Sequence, residues 1–309
     1  MKGEFMLLEV KGIKKSFDKA EILHGINFLV HSGKAMGFLG RNGAGKTTTF
    51  RCLMNVFKQT EGVFLLDGKP FDASRNHIGY LPEERGMYAK VTLKDQLAYF
   101  AKLKGANRKK AVKEAEYWID YFGLKEYTNK KLETLSKGNQ QKIQIAQAFI
   151  NDPDIIILDE PFSGLDPVNA QIFKDAIKEI VVKGKLVIFS SHQMAYVEEI
   201  CQEITLIDHG HIIITGDLEV IKKKEGKNKL TLRIHAEDEA AVEDILQSKL
   251  TLPYKRIDEA YLIEHDERYT SKEILQEILN HVQEIVFFGQ YRPSLQDIFV
   301  DKVGGDTNA

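Results

Sequence analysis

The chain is short of the residues that would mark several whole classes of protein. It has two cysteines in 309 residues, Cys52 and Cys201, far apart and without metal-ligand spacing. That argues against a disulfide scaffold or a cysteine metal site. It points instead to a reduced cytoplasmic setting in which each thiol is a small buried hydrophobe. No apolar run approaches the ~18 residues that span a bilayer, and Met1 to Val10 is too short and too charged for a secretory signal. The chain is therefore expected not to cross a membrane by itself. Charge of one sign is also missing. Lys and Arg number 43 against 45 Asp and Glu, a net of −2, which gives no general pull toward nucleic acid or anionic lipid. No nucleic-acid partner is expected. Hydrophobic residues at 43% suffice for a sizeable core, and the length suits one large and one small domain.

Glycine is present where it carries the most information. Gly40 to Thr47 reads Gly-Arg-Asn-Gly-Ala-Gly-Lys-Thr, the spacing of a phosphate-cradling loop at every fixed position. The apolar run Ala35 to Leu39 precedes it as a strand, and a helix is expected over Thr47 to Phe57. Glycines let successive backbone N–H groups converge on phosphate oxygens, and the helix N-terminus adds the positive end of its dipole. Gly40, Asn42, Gly43, Ala44, Gly45, Lys46, Thr47 and Thr48 form this candidate cradle. Lys46 can reach the β- and γ-phosphates, and the Thr47 hydroxyl can ligate Mg²⁺. A bare glycine-rich turn would not need Lys-Thr at its end.

Two further elements carry chemistry. Ile155 to Leu158 reads as a buried strand ending in Asp159-Glu160. There Asp159 can help hold Mg²⁺, and Glu160 can polarise an attacking water as general base. Adjacent strand residues point to opposite faces, but the strand is ending, so both can face the site. Leu135-Ser136-Lys137-Gly138-Asn139 opens a helix capped by Ser136, whose N-terminus with the Gly138 backbone is a second anion-binding end. A chain with one Lys46 loop does not need this second end for its own nucleotide. It would serve the nucleotide of a partner subunit, although taken alone it reads better as an ordinary capped helix.

Strand and helix patterns alternate over the first ~220 residues. Strands are expected at Leu7 to Lys11, Ile26 to His31, Gly62 to Leu66, Leu186 to Phe189, Glu203 to Asp208 and Ile212 to Thr215. Helices are expected at Leu93 to Leu103, Ala111 to Tyr121 and from Asp166-Pro167 onward. The charged stretch Lys222 to Lys227 reads as a solvated linker. Beyond it, the order β-α-β-β-α-β suggests a small ferredoxin-like module. The expected domains are therefore 1–222, with a helical subdomain at about 84–150, and 223–309.

At this point the chain resembles an ATP-binding cassette (ABC) ATPase, the motor subunit of ABC transporters. Gly40–Thr47 matches the Walker A loop, Leu135–Asn139 the Leu-Ser-Gly-Gly-Gln signature and Ile155–Glu160 Walker B. Ser163-Gly164-Leu165-Asp166 matches the D-loop, and His192 the switch histidine. Phe17 sits where the family stacks an aromatic ring on adenine. The match covers roughly residues 5 to 220. The C-terminal module, ending Pro293-Ser294-Leu295-Gln296-Asp297-Ile298-Phe299, resembles the accessory domain of bacterial cassettes of the drug- and sodium-exporter type.

The resemblance implies an α/β fold: a P-loop NTPase cassette with a mainly parallel core sheet, an antiparallel β subdomain and a helical subdomain, plus the α+β C-terminal domain. It implies ATP and Mg²⁺ as ligands, with Thr47, Asp159 and Glu83 around the metal. Lys46, Glu160 and His192 would be catalytic, and His192 would contact the γ-phosphate. Ser136 and Gly138 would touch the nucleotide of the opposite subunit, with Asp166 at the seam of a homodimer or paired cassette. An integral membrane permease would receive the motion around Glu83 to Lys94, placing the chain in the cytoplasm, peripheral on the inner face of the membrane. Export is the implied direction. Two departures stand out: Glu83-Glu84 where the family usually has Gln, and Lys137 and Asn139 in the signature. They motivate the alternative of a nucleotide-gated regulatory module with weak hydrolysis. A soluble cassette of translation or DNA maintenance is a further rival, but such chains usually carry two cassettes or a long insertion. The interval from Thr48 to Leu135 has no room for one.

Overall fold

The computed structural model describes residues 5–18, 20–83 and 86–304. Glu84, half of the expected acidic pair, therefore lies outside the described residues, as does Arg85 within the expected permease-facing stretch. The chain separates into two compact units, Met1–Leu218 and Glu219–Ala309.

In the first unit, β1 (Leu7–Phe17) and β2 (Ala20–His31) pair antiparallel. Both run longer than their apolar segments suggest, because the added residues, such as Lys14, Lys15 and Ser16, belong to a half-solvated hairpin. β3 (Ala35–Leu39) is buried at every position and feeds the phosphate loop and then α1 (Lys46–Leu53). This helix stops four residues before the expected Phe57. Asn55 takes a left-handed backbone, φ 56, which asparagine tolerates and which ends helices. β4 (Glu61–Leu66) and β5 (Lys69–Pro70) extend the hairpin into a sheet ordered β2-β1-β4-β5. β6 (Ile78–Leu81) returns to the core. Three helices follow: α2 (Leu93–Leu103), capped by Thr92, α3 (Arg108–Tyr121), capped by Asn107, and α4 (Lys137–Phe149), capped by Ser136.

The core sheet then fills in. β7 (Ile155–Leu158), α5 (Pro167–Val182), β8 (Leu186–Ser191), α6 (Met194–Ile200), β9 (Glu203–Asp208) and β10 (His211–Asp217) complete the order β10-β9-β3-β8-β7-β6. All neighbours are parallel except the edge pair β9–β10. That pair closes through His209 and Gly210, both left-handed (φ 43 and 75), the tight turn expected of Asp-His-Gly-His. β7 and β8 are buried along their whole length, as strands covered on both faces must be. Parallel strands align their C-terminal ends, so the loops after β3, β7 and β8 gather at one edge of the sheet. Cys52 and Cys201 are buried, and burial pushes the Cys52 thiol up to about 11.

The lysine-rich stretch, expected as a solvated linker, is largely helical. α7 (Leu218–Glu225) carries Lys222, Lys223 and Lys224 in its last turn, where cations oppose the helix dipole. Leu218 and Ile221 of the same helix are buried. Composition registers charge but not this amphipathic face.

The second unit is a β-α-β-β-α-β module. β11 (Lys229–Ile234) leads to α8 (Glu239–Asp244), which passes into a π turn over Ile245–Lys249. β12 (Tyr254–Ile257), β13 (Ala260–Glu264), α9 (Ser271–Leu279) and β14 (Ile285–Gln290) follow, and α10 (Leu295–Val303) closes. The sheet order β12-β13-β11-β14 is antiparallel throughout, the ferredoxin-like arrangement that the element order suggested. Leu232, Ile263, Ile274 and Ile278 are fully buried in its core.

Candidate functional site

The loop between β3 and α1 is shaped by close approaches that exclude side chains. A Cβ at Gly40 would lie 2.3 Å from the Ile207 carbonyl oxygen, and one at Gly45 would lie 2.7 Å from Leu23 Cδ2. Gly45 is also left-handed, φ 109, so glycine meets both a steric and a backbone demand there. The loop walls a cavity of about 290 Å³ with Arg41, Asn42, Gly43, Gly45, Lys46, Thr47 and Thr48, closed by Glu83 and Glu160. Gly40 and Ala44 complete the loop backbone. Ala44 is buried, and its carbonyl accepts from Gly210 N at 3.0 Å, tying the loop to the β9–β10 turn.

Lys46 is only 6% exposed. Its ammonium donates to the Gly40 carbonyl at 2.8 Å and the Arg41 carbonyl at 3.3 Å, and stands 3.4 Å from Glu160 Oε1. The other Glu160 oxygen lies 2.9 Å from His192 Nδ1. Glu160 thus stands between Lys46 and His192, the other two residues expected to be catalytic, and contacts each. Glu160 faces the cavity because its backbone is left-handed, φ 49. The turn breaks the alternation that would otherwise send it away from Asp159.

Thr47 Oγ1 donates to Glu83 Oε2 at 3.2 Å. Asp159 is buried, and its Oδ1 accepts from Ser190 Oγ at 2.6 Å. Its Oδ2 is buried with no hydrogen-bond partner among the described residues. Burial raises the Asp159 carboxyl above its ordinary range, the hydroxyls of Ser190 and Thr47 oppose the rise, and the charges of Glu83 and Glu160 add to it. Three carboxylates, two of them (Asp159 and Glu160) with a buried oxygen that has no hydrogen-bond partner among the described residues, are a donor set for a hard dication. Among the described residues no cluster of three His, Cys, Asp or Glu side chains is arranged to hold a metal alone. The residues therefore fit Mg²⁺ arriving with phosphate oxygens, the usual case for this ion.

The remaining candidates lie elsewhere. Phe17 does not line the cavity. It packs edge-on against Phe57 with centroids 5.1 Å apart, under the Lys15 ammonium at 4.6 Å, and is 38% exposed. Ser136 and Gly138 are also outside the cavity. Ser136 Oγ caps α4 by accepting from Asn139 N at 3.4 Å. Asp166 caps α5 by accepting from Val168 N and Asn169 N, both at 3.0 Å. The two helix ends adjoin, since a Cβ at Gly138 would lie 3.5 Å from Asn169 Nδ2. They make one surface of paired positive dipole ends.

Sequence reading passed over two residues. Gln141 is buried in α4 and donates to the Pro161 carbonyl at 2.8 Å, linking the Ser136 helix to the residue after Glu160. Ser190 is the other, although a serine that closes the apolar run of β8 while still in the strand signals a buried polar contact.

Strand, loop, helix end and facing carboxylates together make the frame of a P-loop ATPase. Residues 23–163 match the ABC transporter family, and residues 216–303 match the C-terminal domain described as ATP-binding protein DrrA1-3-like. Over 306 residues the chain is 40% identical to the uncharacterized ABC transporter ATP-binding protein YhaQ of Bacillus subtilis (strain 168), covering 96% of this chain and 99% of that protein. It is 29% identical over 312 residues to the linearmycin resistance ATP-binding protein LnrL of the same organism, covering 96% and 98%. A solved ATP binding subunit of an ABC transporter superposes with a TM-score of 0.66 at 28% identity, over 77% of this chain and 98% of that one. The chain belongs to the ABC transporter ATP-binding proteins, a family of ATPases. No helix among the described residues is long and apolar enough to cross a membrane.

Proposed function

We propose that this chain is the motor of an exporter, hydrolysing ATP between two cassettes and passing the motion to a separate membrane permease from the cytoplasmic side. The observation that carries the reading is the split of the site. Lys46, Thr47, Glu83 and Glu160 line one cavity, with His192 against Glu160 and Asp159 against Thr47, while Ser136, Gly138 and Asp166 sit together outside it. A second cassette, turned head to tail, would bring its Ser136 end to the phosphates held by Lys46.

In this reading the loop amides and Lys46 bind the β- and γ-phosphates, and the phosphates draw the ammonium away from Glu160. The freed carboxylate takes a proton from the attacking water while His192 orients Glu160 and meets the γ-phosphate. Mg²⁺, held by Thr47, Asp159 and Glu83, would supply charge neutralisation between the phosphates. ATP favours the closed pair because its γ-phosphate has contacts on both sides, and loss of phosphate removes them. The outward direction is supported by the resistance role in the name of LnrL. The glutamate at position 83 adds negative charge beside the γ-phosphate, and a chain that bound ATP without releasing phosphate would be the regulatory module instead.

The test uses a Glu160→Gln variant reconstituted with the membrane protein that co-purifies with it. ATP with Mg²⁺ should bring its two cassettes together, read by cross-linking between their facing surfaces. Cassettes that stay apart under saturating ATP contradict the proposal. Phe17, partly exposed, would stack on adenine. Phe17→Ala should weaken ATP binding by about 1 kcal/mol, roughly fivefold, and leave the affinity for inorganic triphosphate unchanged in calorimetry. Equal losses for both ligands would remove Phe17 from the base site.

A further inference from the structure

The β8 strand exit contains a hydroxyl whose bonding goes beyond what its position next to His192 requires. Ser190 is fully buried. Its Oγ donates to Asp159 Oδ1 at 2.6 Å and accepts from the backbone N of Glu160 at 2.8 Å. One hydroxyl can do both at once, having one donor hydrogen and two acceptor lone pairs. The parallel register explains the placement. Leu158 pairs with Phe189 as the last rung between β7 and β8, so Asp159 and Ser190 stand where the ladder stops. β7 ends there, while β8 continues to Ser191, which pairs with Leu39 of β3. The amide of Glu160 thus meets a side chain instead of the next ladder carbonyl.

We infer that Ser190 is a positioning residue for hydrolysis, holding the peptide of Glu160 in the left-handed turn that aims its carboxylate at the cavity. The inference rests on the reading of Glu160 as general base. A non-glycine residue is disfavoured at φ 49 and persists where the surroundings hold it. The bond from Glu160 N to Ser190 is such a hold. An extended Glu160 would point to the opposite face from Asp159 and lose both its 3.4 Å approach to Lys46 and its 2.9 Å contact with His192. His192 leaves the same strand two residues after Ser190. One segment therefore fixes the base at its backbone and at its carboxylate.

The test compares Ser190→Ala and Ser190→Thr in steady-state and single-turnover phosphate release. Ser190→Ala should lower kcat about tenfold, the scale of a slightly misplaced reacting group. KM for ATP and the half-saturating Mg²⁺ concentration should stay within about twofold. Ser190→Thr, which keeps the hydroxyl, should restore most of the rate. In a Glu160→Gln background Ser190→Ala should add little further loss, because residues acting as a unit are not additive. Normal turnover in Ser190→Ala overturns the inference. So does a Mg²⁺ requirement that rises in step with the rate loss, which would assign Ser190 to Asp159. A folded Ser190→Thr as slow as the alanine variant also overturns it. Where Ser190→Ala melts at lower temperature, the threonine variant and the KM-against-kcat split decide. A wild-type chain that hydrolyses no ATP overturns the functional reading itself, and this inference with it.

Discussion

Replacing Glu160 by glutamine is expected to slow ATP turnover by about 10² or more while ATP still binds with near wild-type affinity. The carboxamide keeps the volume and can still meet Lys46 and His192, which stand 3.4 Å and 2.9 Å from the carboxylate oxygens. What it loses is the capacity to accept a proton at the moment of attack. Binding rests on other groups, namely the loop amides, the Lys46 ammonium and the Thr47 hydroxyl. The substitution also removes a negative charge beside the γ-phosphate, so affinity should hold or rise slightly. Phosphate release gives the rate and calorimetry the affinity. Turnover within a few-fold of wild type would take the base role from Glu160. The nearest other carboxylates, Asp159 and Glu83, would then be the candidates.

Much of this site was legible because it is local. Ala35–Leu39 and Ile155–Leu158 are uninterrupted apolar runs, and a strand buried on both faces needs such a run. Ser136 and Asp166 are caps three residues or fewer from the groups they satisfy, so spacing alone places them. The ferredoxin-like sheet followed from element order, since few topologies accept β-α-β-β-α-β without crossing loops. What stayed hidden depends on distant partners or on a single backbone angle. Nothing in the order of Asp159 and Glu160 reveals that a serine about thirty residues on bonds both, or that Glu160 takes a left-handed backbone. The helical form of the stretch at Lys222 was hidden for the same reason. A run of charges looks solvated whether it is coil or the outer face of a helix, and only the burial of Leu218 and Ile221 separates the two. Glu83 is a further case. Its identity departs from the glutamine that the resemblance leads one to expect, and only the structure shows that it bonds Thr47.

Substituting Lys46 by alanine should act at the other step, lowering ATP affinity before any effect on chemistry is reached. The ammonium is buried and donates to two loop carbonyls. It stands 3.4 Å from the Glu160 carboxylate. A charge-assisted hydrogen bond is worth about 1.5–3 kcal/mol, or roughly 10- to 150-fold in binding. The loss should fall toward the upper end, because removing the lysine leaves Glu83, Asp159 and Glu160 facing an anionic ligand with less compensation. Calorimetry with ATP reads the change, and unchanged affinity would contradict the assignment. The two substitutions are therefore expected to separate cleanly. Glutamine at 160 leaves a site that fills and does not turn over; alanine at 46 leaves one that scarcely fills. If alanine at 46 bound ATP normally and only slowed hydrolysis, the cavity behind the glycine loop would not be where the phosphates sit. The pairing of that cavity with the Ser136 surface of a second cassette would then lose its basis.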